Sequence, residues 1–302
     1  MAEVESRLAE VTAGHGPILA GDAGATLAAG GKRLRPLLVL LCAGPVGGES
    51  AVRAATAVEL VHMATLVHDD VIDDAPLRRG HPTVAARSGR ERAVATGDLL
   101  FSRAFAELGA DGGERQVGML SSASVALALG ELAQRRDAFD VAITRERYLE
   151  RCSLKTARLF ECACLLGRVG DGGAPDADLA TFGRNIGLAF QLLDDVLDVS
   201  GPPERTGKAR GTDLLDGTVT LPLILARETD PELATTNLAG LDAAGAAAIC
   251  DRIVATGALE GVRGLARDRV TDAKQALGDA PLSSEERTLL DLVADGVVER
   301  YS

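Results

Sequence analysis

A long apolar segment that ends in a run of aspartates places the strongest constraint on the fold. Over residues 49–74 the apolar side chains of Val52, Leu60, Met63 and Val67 follow a helical rather than an alternating period. At about 1.5 Å per residue, one helix over this range would be roughly 39 Å long. A helix this apolar must be shielded by other helices, so the segment predicts the core helix of a bundle.

Four carboxylates, those of Asp69, Asp70, Asp73 and Asp74, close this segment, and no Lys or Arg follows them before Arg78. Asp69 and Asp73 would share one helix face, with Cβ atoms about 5–6 Å apart. Like charges at that spacing destabilise a helix by a few tenths of a kcal/mol. Two interpretations stay open at this point: a solvated acidic helix end, or an oxygen ligand set for a hard divalent ion such as Mg²⁺.

The rest of the chain predicts an all-α fold. Ala and Leu are abundant, aromatic residues make up 3% of the 302 residues, and Trp is absent, a balance that favours aliphatic helix packing over sheets. Alternating strand patterns and Asn-Gly hairpin signals are missing. Besides 49–74, helices are predicted over residues 1–13, 37–43, 91–109, 114–137, 144–168, 176–199, 218–228, 241–256, 258–278 and 284–300. With no long low-complexity linker, residues 1–302 are predicted to form a single domain.

Composition also limits the partners. A net charge of −12 argues against a nucleic-acid partner and against adhesion to an anionic membrane surface. No run reaches the 18 or so apolar residues of a membrane span, and the acidic N-terminus lacks the apolar core of a signal peptide. The five cysteines are scattered and are expected to be buried thiols in a reducing cytoplasm.

A second acidic cluster repeats the spacing of the first. Asp194-Asp195-Val196-Leu197-Asp198 has the same D-D-x-x-D pattern, and no Lys or Arg lies between Asn185 and Glu204. Carboxylates in an apolar helix cost too much to bury unless they are paired or bind a metal. Two such clusters are hard to explain as solvated faces, so we expect them to face each other across a metal site.

The cations are concentrated in loops and at helix ends, apart from the acids. They fall into four groups: Lys32 with Arg35, Arg78 with Arg79, Lys155, and Lys208. Each group alone would be ordinary surface charge. Together with the acidic clusters they suit a phosphate-bearing ligand, because Mg²⁺ can bridge carboxylate and phosphate while Arg and Lys clamp the remaining oxygens.

The order of these motifs resembles a known family, the trans-isoprenyl diphosphate synthases or polyprenyl synthetases. The resemblance runs from about residue 25 to residue 226. It rests on both D-D-x-x-D clusters and on Gly30-Gly31-Lys32-Arg33-Leu34-Arg35-Pro36, Arg78-Arg79-Gly80, Lys155-Thr156-Ala157, Phe190-Gln191 and Gly207-Lys208. It implies an all-α bundle of the isoprenoid synthase type, usually a homodimer, with the active site in a deep central cavity. It also implies a prenyltransferase that joins isopentenyl diphosphate head to tail (1′-4) to an allylic diphosphate, giving an all-trans product.

Residue roles follow from the resemblance by position. Asp69, Asp73 and Asp194 would be the main ligands of three Mg²⁺ ions, with Asp70 and Asp198 in support. The diphosphate of isopentenyl diphosphate would be held by Lys32, Arg35, His62 and Arg79. The allylic diphosphate or its cation would be held by Arg78, Lys155, Thr156, Gln191 and Lys208. One departure is Thr218, which stands where most members have a Lys, and it puts one contact to the allylic diphosphate in doubt.

Product length is expected to depend on the helical turn before Asp69. Met63, Ala64 and Thr65 would face the growing chain there, with a cavity floor near residues 125–129. A bulky aromatic at this turn would close the cavity near C15, whereas Ala64 leaves it open, so the sequence predicts a product of C20 or longer. Two alternatives are weighed against elongation: a class I terpene cyclase, which would carry an Asn/Asp-x-x-Ser/Thr-x-x-x-Glu pattern as its second cluster, and a non-catalytic partner subunit, which would have lost acidic clusters.

Overall fold

The computed structural model describes residues 1–110, 113–170, 173–201, 210–278 and 280–299. Helices dominate these residues, and one two-residue antiparallel hairpin, β1 (Leu77–Arg78) and β2 (His81–Pro82), interrupts them. The helices are α1 (Ala2–Ala13), α2 (Gly16–Ala28), α3 (Leu34–Ala43), α4 (Gly48–Ile72), α5 (Val84–Ser88), α6 (Arg90–Gly109), α7 (Glu114–Arg136), α8 (Arg145–Cys152), α9 (Arg158–Val169), α10 (Ala177–Ser200), α11 (Thr212–Leu215), α12 (Leu221–Thr229), α13 (Ala243–Ala255), α14 (Ala258–Leu277) and α15 (Ser284–Glu299). The all-α prediction is confirmed.

Three of the departures from the predicted elements lie close to predicted site residues. The predicted helix 144–168 is interrupted by a π-helical turn, Ser153–Ala157, between α8 and α9. The hairpin β1–β2 and the short helix α5 lie between residues 74 and 91, where no helix or strand is predicted. Helix α4 ends at Ile72 rather than at residue 74. Each departure falls beside a predicted site residue.

Contacts along the chain divide it into two units. The first comprises Met1–Ser124 and Cys162–Ala180, and the second comprises Val125–Glu161 and Thr181–Ser302. The predicted single domain stays a prediction.

The first unit is built around α4, which packs against α1, α3 and α6. Leu60 and Val61 in the middle of α4 are fully buried, as the apolar period predicts. Helix α6 comes close where Gly97 faces the ring of His68, because a Cβ at Gly97 would lie 2.2 Å from its Nε2 atom. The absence of a side chain at this position therefore allows the two helices to approach.

In the second unit α12 packs against α8, α13 and α14, and α14 packs against α15. Tyr148 and Phe182 are among its large, fully buried side chains. Side-chain N-caps stabilise the starts of α8 and α13. Thr144 accepts a hydrogen bond from Arg147 N at the start of α8, and Asp242 accepts one from Gly245 N at the start of α13.

Two of the described helices are long and apolar enough to cross a membrane by length and composition alone. In α4, 67% of the most apolar window is buried, as expected of a core helix, whereas in α7 only 28% is. The predicted absence of a membrane span stays a prediction.

Candidate active site

The first acidic cluster lies at the C-terminal end of α4. The backbone N–H of Asp73 donates to the carbonyl oxygen of Asp69 (2.8 Å), so these residues keep their one-turn relation although the helix ends at Ile72. Asp69 is half-buried and Asp73 is exposed. No basic residue lies in the last turn of α4, where the helix dipole already disfavours negative charge. Accessible carboxylates in such a position favour a bound cation.

Asp70 differs from its neighbours because its carboxylate is buried and already paired. Arg78 Nε donates to Asp70 Oδ1 (2.7 Å) from strand β1 of the hairpin. The turn consists of Arg79 (φ 52°) and Gly80 (φ 78°), and two positive φ angles are those of a type I′ turn. The hairpin thus sets Arg78 against the end of α4 and puts Arg79 at its tip.

Arginines surround His62, which lies on α4. Burial and the positive charges of Arg35, Arg79, Arg78 and Arg33 hold the pKa of His62 well below its usual value. Burial lowers the pKa of Arg35 to about 10, which leaves its guanidinium charged at neutral pH. A neutral imidazole among guanidinium groups is a suitable site for an anion with several oxygens.

The glycine-rich segment before α3 lies against the hairpin. The guanidinium of Arg79 donates to the carbonyl oxygen of Gly30, and a Cβ at Gly31 would lie 2.8 Å from Nη1 of Arg33 and 3.2 Å from Nη1 of Arg79. Arg33 pairs with Glu5 (2.7 Å) and with the buried Glu59 (2.8 Å). Arg33 therefore anchors this segment, whereas the adjacent Lys32 is exposed.

A cavity of about 200 Å³ lies beside the hairpin, on the side of α2. Arg78, Arg79, Asp70 and Arg87 contribute polar atoms to its wall, and α2 contributes alanines. This cavity gives the arginine pair a solvent-accessible space in the first unit.

The predicted chain-length residues lie on α4, one turn before Asp69, and two of the three are buried. Met63 is 2% exposed and Ala64 is fully buried, while the half-buried Thr65 donates its hydroxyl to the carbonyl oxygen of His62 (2.8 Å). In the range expected to hold the cavity floor, Val125 and Leu129 are more than half exposed. Those two side chains do not have the burial expected of a floor.

The second acidic cluster lies in the last two turns of α10, and its three carboxylates have different surroundings. Asp194 is exposed. Asp198 accepts hydrogen bonds from the backbone N–H groups of Thr212 (3.1 Å) and Asp213 (3.2 Å), which begin α11. Asp195, which the sequence analysis left without a role, is buried. Of the three, Asp194 most resembles Asp73 in its accessibility.

Hydrogen bonds link Asp195 to two predicted site residues. Thr156 Oγ1 donates to Gln191 Oε1 (2.7 Å), and Gln191 Nε2 donates to Asp195 Oδ1 (2.8 Å). The hydroxyl of the buried Tyr148 donates to the other oxygen of Asp195. Burial and the charge of Asp213 raise the pKa of Asp195 to about 8. This network fixes the orientation of the Gln191 amide and the Thr156 hydroxyl.

Lys155 lies in the π-helical turn and is held by α7. Its ammonium pairs with Glu131 and donates to Gln134 Oε1 (3.3 Å), and a Cβ at Gly130 would lie 2.6 Å from Lys155 N. π-helical turns recur at functional sites. Neither Glu131 nor Gln134 is predicted as a site residue from the sequence, although Glu131 is the first charged residue after Arg115.

The metal ligands, Lys208 and Thr218 complete the set of residues singled out from the sequence. No three His, Cys, Asp or Glu side chains of the described residues are gathered closely enough to hold a metal ion, so the ligand assignments stay predictions. Lys208 lies outside the described residues. Thr218 is half-buried, and its backbone N–H donates to the carbonyl oxygen of Asp213 (2.7 Å).

Comparison with known proteins places these observations in a family. The chain matches the family described as Polyprenyl synthetase over residues 17–254. It is 38% identical over 301 residues to "Heptaprenyl diphosphate synthase component 2" of Geobacillus stearothermophilus, covering 97% of this chain and 93% of that protein. It is 35% identical over 281 residues to "Geranylgeranyl diphosphate synthase" of Methanosarcina mazei, covering 90% and 86%.

A solved structure agrees with the sequence relatives. The polyprenyl synthase from Caulobacter crescentus CB15, complexed with calcium and isoprenyl diphosphate, superposes with a TM-score of 0.94 at 35% identity, covering 100% of this chain and 95% of that one. The chain belongs to the polyprenyl synthetase family, and its activity class is that of a prenyl diphosphate synthase, a transferase. The relatives' names span several chain lengths, from geranylgeranyl to octaprenyl, and one solved structure is of a decaprenyl diphosphate synthase.

Proposed function

We propose that the protein is a Mg²⁺-dependent prenyltransferase that condenses isopentenyl diphosphate with an allylic diphosphate in a 1′-4, head-to-tail reaction. The product would be an all-trans polyprenyl diphosphate of C20 or longer. The observation that carries the proposal is the group of Arg35, His62, Arg78 and Arg79 beside the carboxylates at the end of α4. Guanidinium groups and accessible carboxylates together suit diphosphates that arrive with divalent ions.

The chemistry of the donor set supports Mg²⁺. Asp69, Asp73 and Asp194 would be the main ligands, with Asp70 and Asp198 in support. Asp73 and Asp194 are exposed oxygen donors, and each cluster ends a helix with no basic residue in its last turn. When bound, three Mg²⁺ ions would neutralise the leaving diphosphate electrostatically. The Caulobacter structure holds calcium with isoprenyl diphosphate, which is consistent with oxygen ligands for a hard cation.

Two sets of side chains would each bind one of the two substrates. Lys32, Arg35, His62 and Arg79 would hold the diphosphate of isopentenyl diphosphate, with neutral His62 donating one hydrogen bond. Arg78, Lys155, Thr156, Gln191 and Lys208 would serve the allylic substrate. Because Gln191 gives its amide N–H to Asp195, its carbonyl oxygen and the Thr156 oxygen are the dipoles that would face an allylic cation. The departing diphosphate would accept the proton lost after condensation.

The decisive test is product analysis by mass spectrometry with isopentenyl diphosphate and allylic primers of C5, C10, C15 and C20, with and without Mg²⁺. We expect isopentenyl diphosphate to be consumed only with Mg²⁺ and the product to reach C20 or longer. A terpene cyclase would leave isopentenyl diphosphate unconsumed. That result, or full activity in the presence of EDTA, would overturn the proposal.

Product length would be set on α4 by the buried Ala64, with Met63 and Thr65 beside it. Replacing Ala64 by Phe should shorten the main product toward C15, because the added ring would fill the space one turn before Asp69. Product chromatography measures the shift, and Ala64→Ser, nearly equal in volume, should leave the chain length as in wild type. An unchanged product length in Ala64→Phe would contradict the assignment of Ala64 to the wall of the product cavity.

We propose that the enzyme works as a homodimer in the cytoplasm. Val125, Leu129 and Leu132 of α7 share one helix face and are all more than half exposed, which suits a subunit interface. The five cysteines of the chain are buried and none is in a disulfide, which suits a reducing compartment.

The second candidate is a heteromeric enzyme, which the relative named "component 2" favours. Activity that appears only after a second protein is added would support the heteromer.

A further inference from the structure

The loop that carries the arginine pair is closed at its base by Thr83. The chain leaves α4, forms the β1–β2 hairpin and returns at Thr83, whose backbone N–H donates to the carbonyl oxygen of Pro76 (3.1 Å). The Thr83 hydroxyl donates to the carbonyl oxygen of Ala75 (2.7 Å). These two hydrogen bonds join the start of the loop to its end.

The same hydroxyl also begins α5. Thr83 Oγ1 accepts from Ala86 N (3.1 Å) as the N-cap, and the residue is only 4% exposed. Helix α5 is fixed in turn, because Arg87 (2.9 Å) and Ser88 (2.7 Å) donate to the buried Asp22 of α2. One buried hydroxyl therefore connects the end of the α4 loop to a helix that is anchored elsewhere in the first unit.

The tip of the loop needs this support. Two-residue strands form a marginal hairpin on their own, and Arg79 lies in the left-handed region, which is unfavourable for a residue with a side chain. The tip is held by side-chain hydrogen bonds: Arg78 bonds to Asp70, and Arg79 bonds to the carbonyl oxygen of Gly30. Without a fixed base, the hairpin could shift and carry both guanidinium groups with it.

We propose that Thr83 is a positioning residue for substrate binding. Its hydroxyl closes the loop so that the Arg79 guanidinium stays in the group around His62. Nothing in the resemblance or the comparisons assigns a role to Thr83. The inference rests on the proposed function, in which Arg79 holds the diphosphate of isopentenyl diphosphate.

The test compares Thr83→Val, which keeps the shape and removes the hydroxyl, with Thr83→Ser, which keeps the hydroxyl. Thr83→Val should raise the KM for isopentenyl diphosphate about tenfold, since it leaves the half-buried carbonyl of Ala75 without its donor and loosens Arg79. Thr83→Ser should stay within about twofold of wild type. Thr144→Val, which removes the capping hydroxyl of α8, controls for the loss of an N-cap and should leave this KM unchanged. Where Thr83→Val does not fold, Thr83→Ala replaces it.

A double-mutant cycle with Arg79→Lys separates positioning from general stability. Arg79→Lys should itself raise the KM for isopentenyl diphosphate. Thr83→Val should add little in that background, because two substitutions that act through the same interaction are not additive. A lower Tm with an unchanged KM, or equal increases in both backgrounds, overturns the positioning role. If Arg79→Lys leaves the KM unchanged, the assignment of Arg79 in the proposed function fails, and this proposal fails with it.

Discussion

His62 is kept neutral by its surroundings, and this neutrality makes stability depend on pH. Its folded-state pKa is held well below 6.5 by burial and by Arg35, Arg79, Arg78 and Arg33. Below pH 6.5 the unfolded chain takes up a proton at His62 that the folded chain does not. The free energy of unfolding therefore falls as pH drops through 6.5, and this loss is absent above 6.5.

Replacing His62 by Gln should remove that part of the pH dependence. Between pH 6.5 and 5.5 the wild type should lose about 1 kcal/mol more free energy of unfolding than His62→Gln. Urea unfolding at pH 7.5, 6.5 and 5.5 measures the difference. His15 is exposed, so His15→Gln serves as the control and should follow the wild-type curve. Equal pH slopes in wild type and His62→Gln would contradict the prediction.

Single residues differ in how far the sequence predicts them. Asp69 and Asp194 are recognised because acids in apolar helices are costly unless something binds them. Glu131 and Asp195 are likewise acids in apolar helices, but the roles that they have in the structure are not predicted, because their partners Lys155 and Tyr148 become neighbours only when separate helices pack. Charge patterns along the chain therefore reveal clustered carboxylates, but they do not show which carboxylates orient other side chains.

At the scale of elements, the π-helical turn is the feature that the sequence could not give. Ser153–Ala157 has the composition of an ordinary helix, so periodicity predicts one uninterrupted helix over 144–168. Two glycines allow neighbouring helices to approach this turn: a Cβ at Gly187 of α10 would lie 2.7 Å from Ala157 Cα, and one at Gly130 of α7 would meet the backbone of Lys155. The long helices, by contrast, are predicted to within two residues, since their periodicity extends over many turns.

Gly130→Ala should disturb this turn directly. The new Cβ would lie 2.6 Å from N and 2.8 Å from Cα of Lys155, backbone atoms that cannot rotate away as a side chain can. We expect a loss of about 1–3 kcal/mol in the free energy of unfolding and a lower kcat/KM for the allylic substrate. Gly296→Ala is the matched control because nothing lies within 4 Å of its Cβ, so helix propensity should make it stabilising by up to about 1 kcal/mol. Wild-type stability and activity in Gly130→Ala would show that the turn can move without cost.

At the scale of the whole molecule, the sequence predicts the fold class and the order of helices, but not the two units. The first unit combines Met1–Ser124 with Cys162–Ala180, segments that only tertiary contacts bring together. The net charge likewise does not predict the site. The chain carries a net charge of −12, yet guanidinium groups lie around His62. Net charge thus describes the molecule as a whole, whereas local packing decides which charges lie together.

The exposed apolar face of α7 leads to a prediction about assembly. Val125, Leu129 and Leu132 are 57%, 52% and 65% exposed, and no charge lies between Arg115 and Glu131. Sedimentation velocity should therefore give twice the chain mass for wild type. The double variant Leu129→Glu/Leu132→Glu should give one chain mass, because it would bury uncompensated charge in the interface.

Leu292 of α15, which is 60% exposed, provides the control. Leu292→Glu adds a charge to another apolar surface position and should leave the dimer intact. Loss of the dimer in both variants would indicate general charge repulsion in an already acidic chain. A dimer that persists in the α7 double variant would rule out this face as the interface.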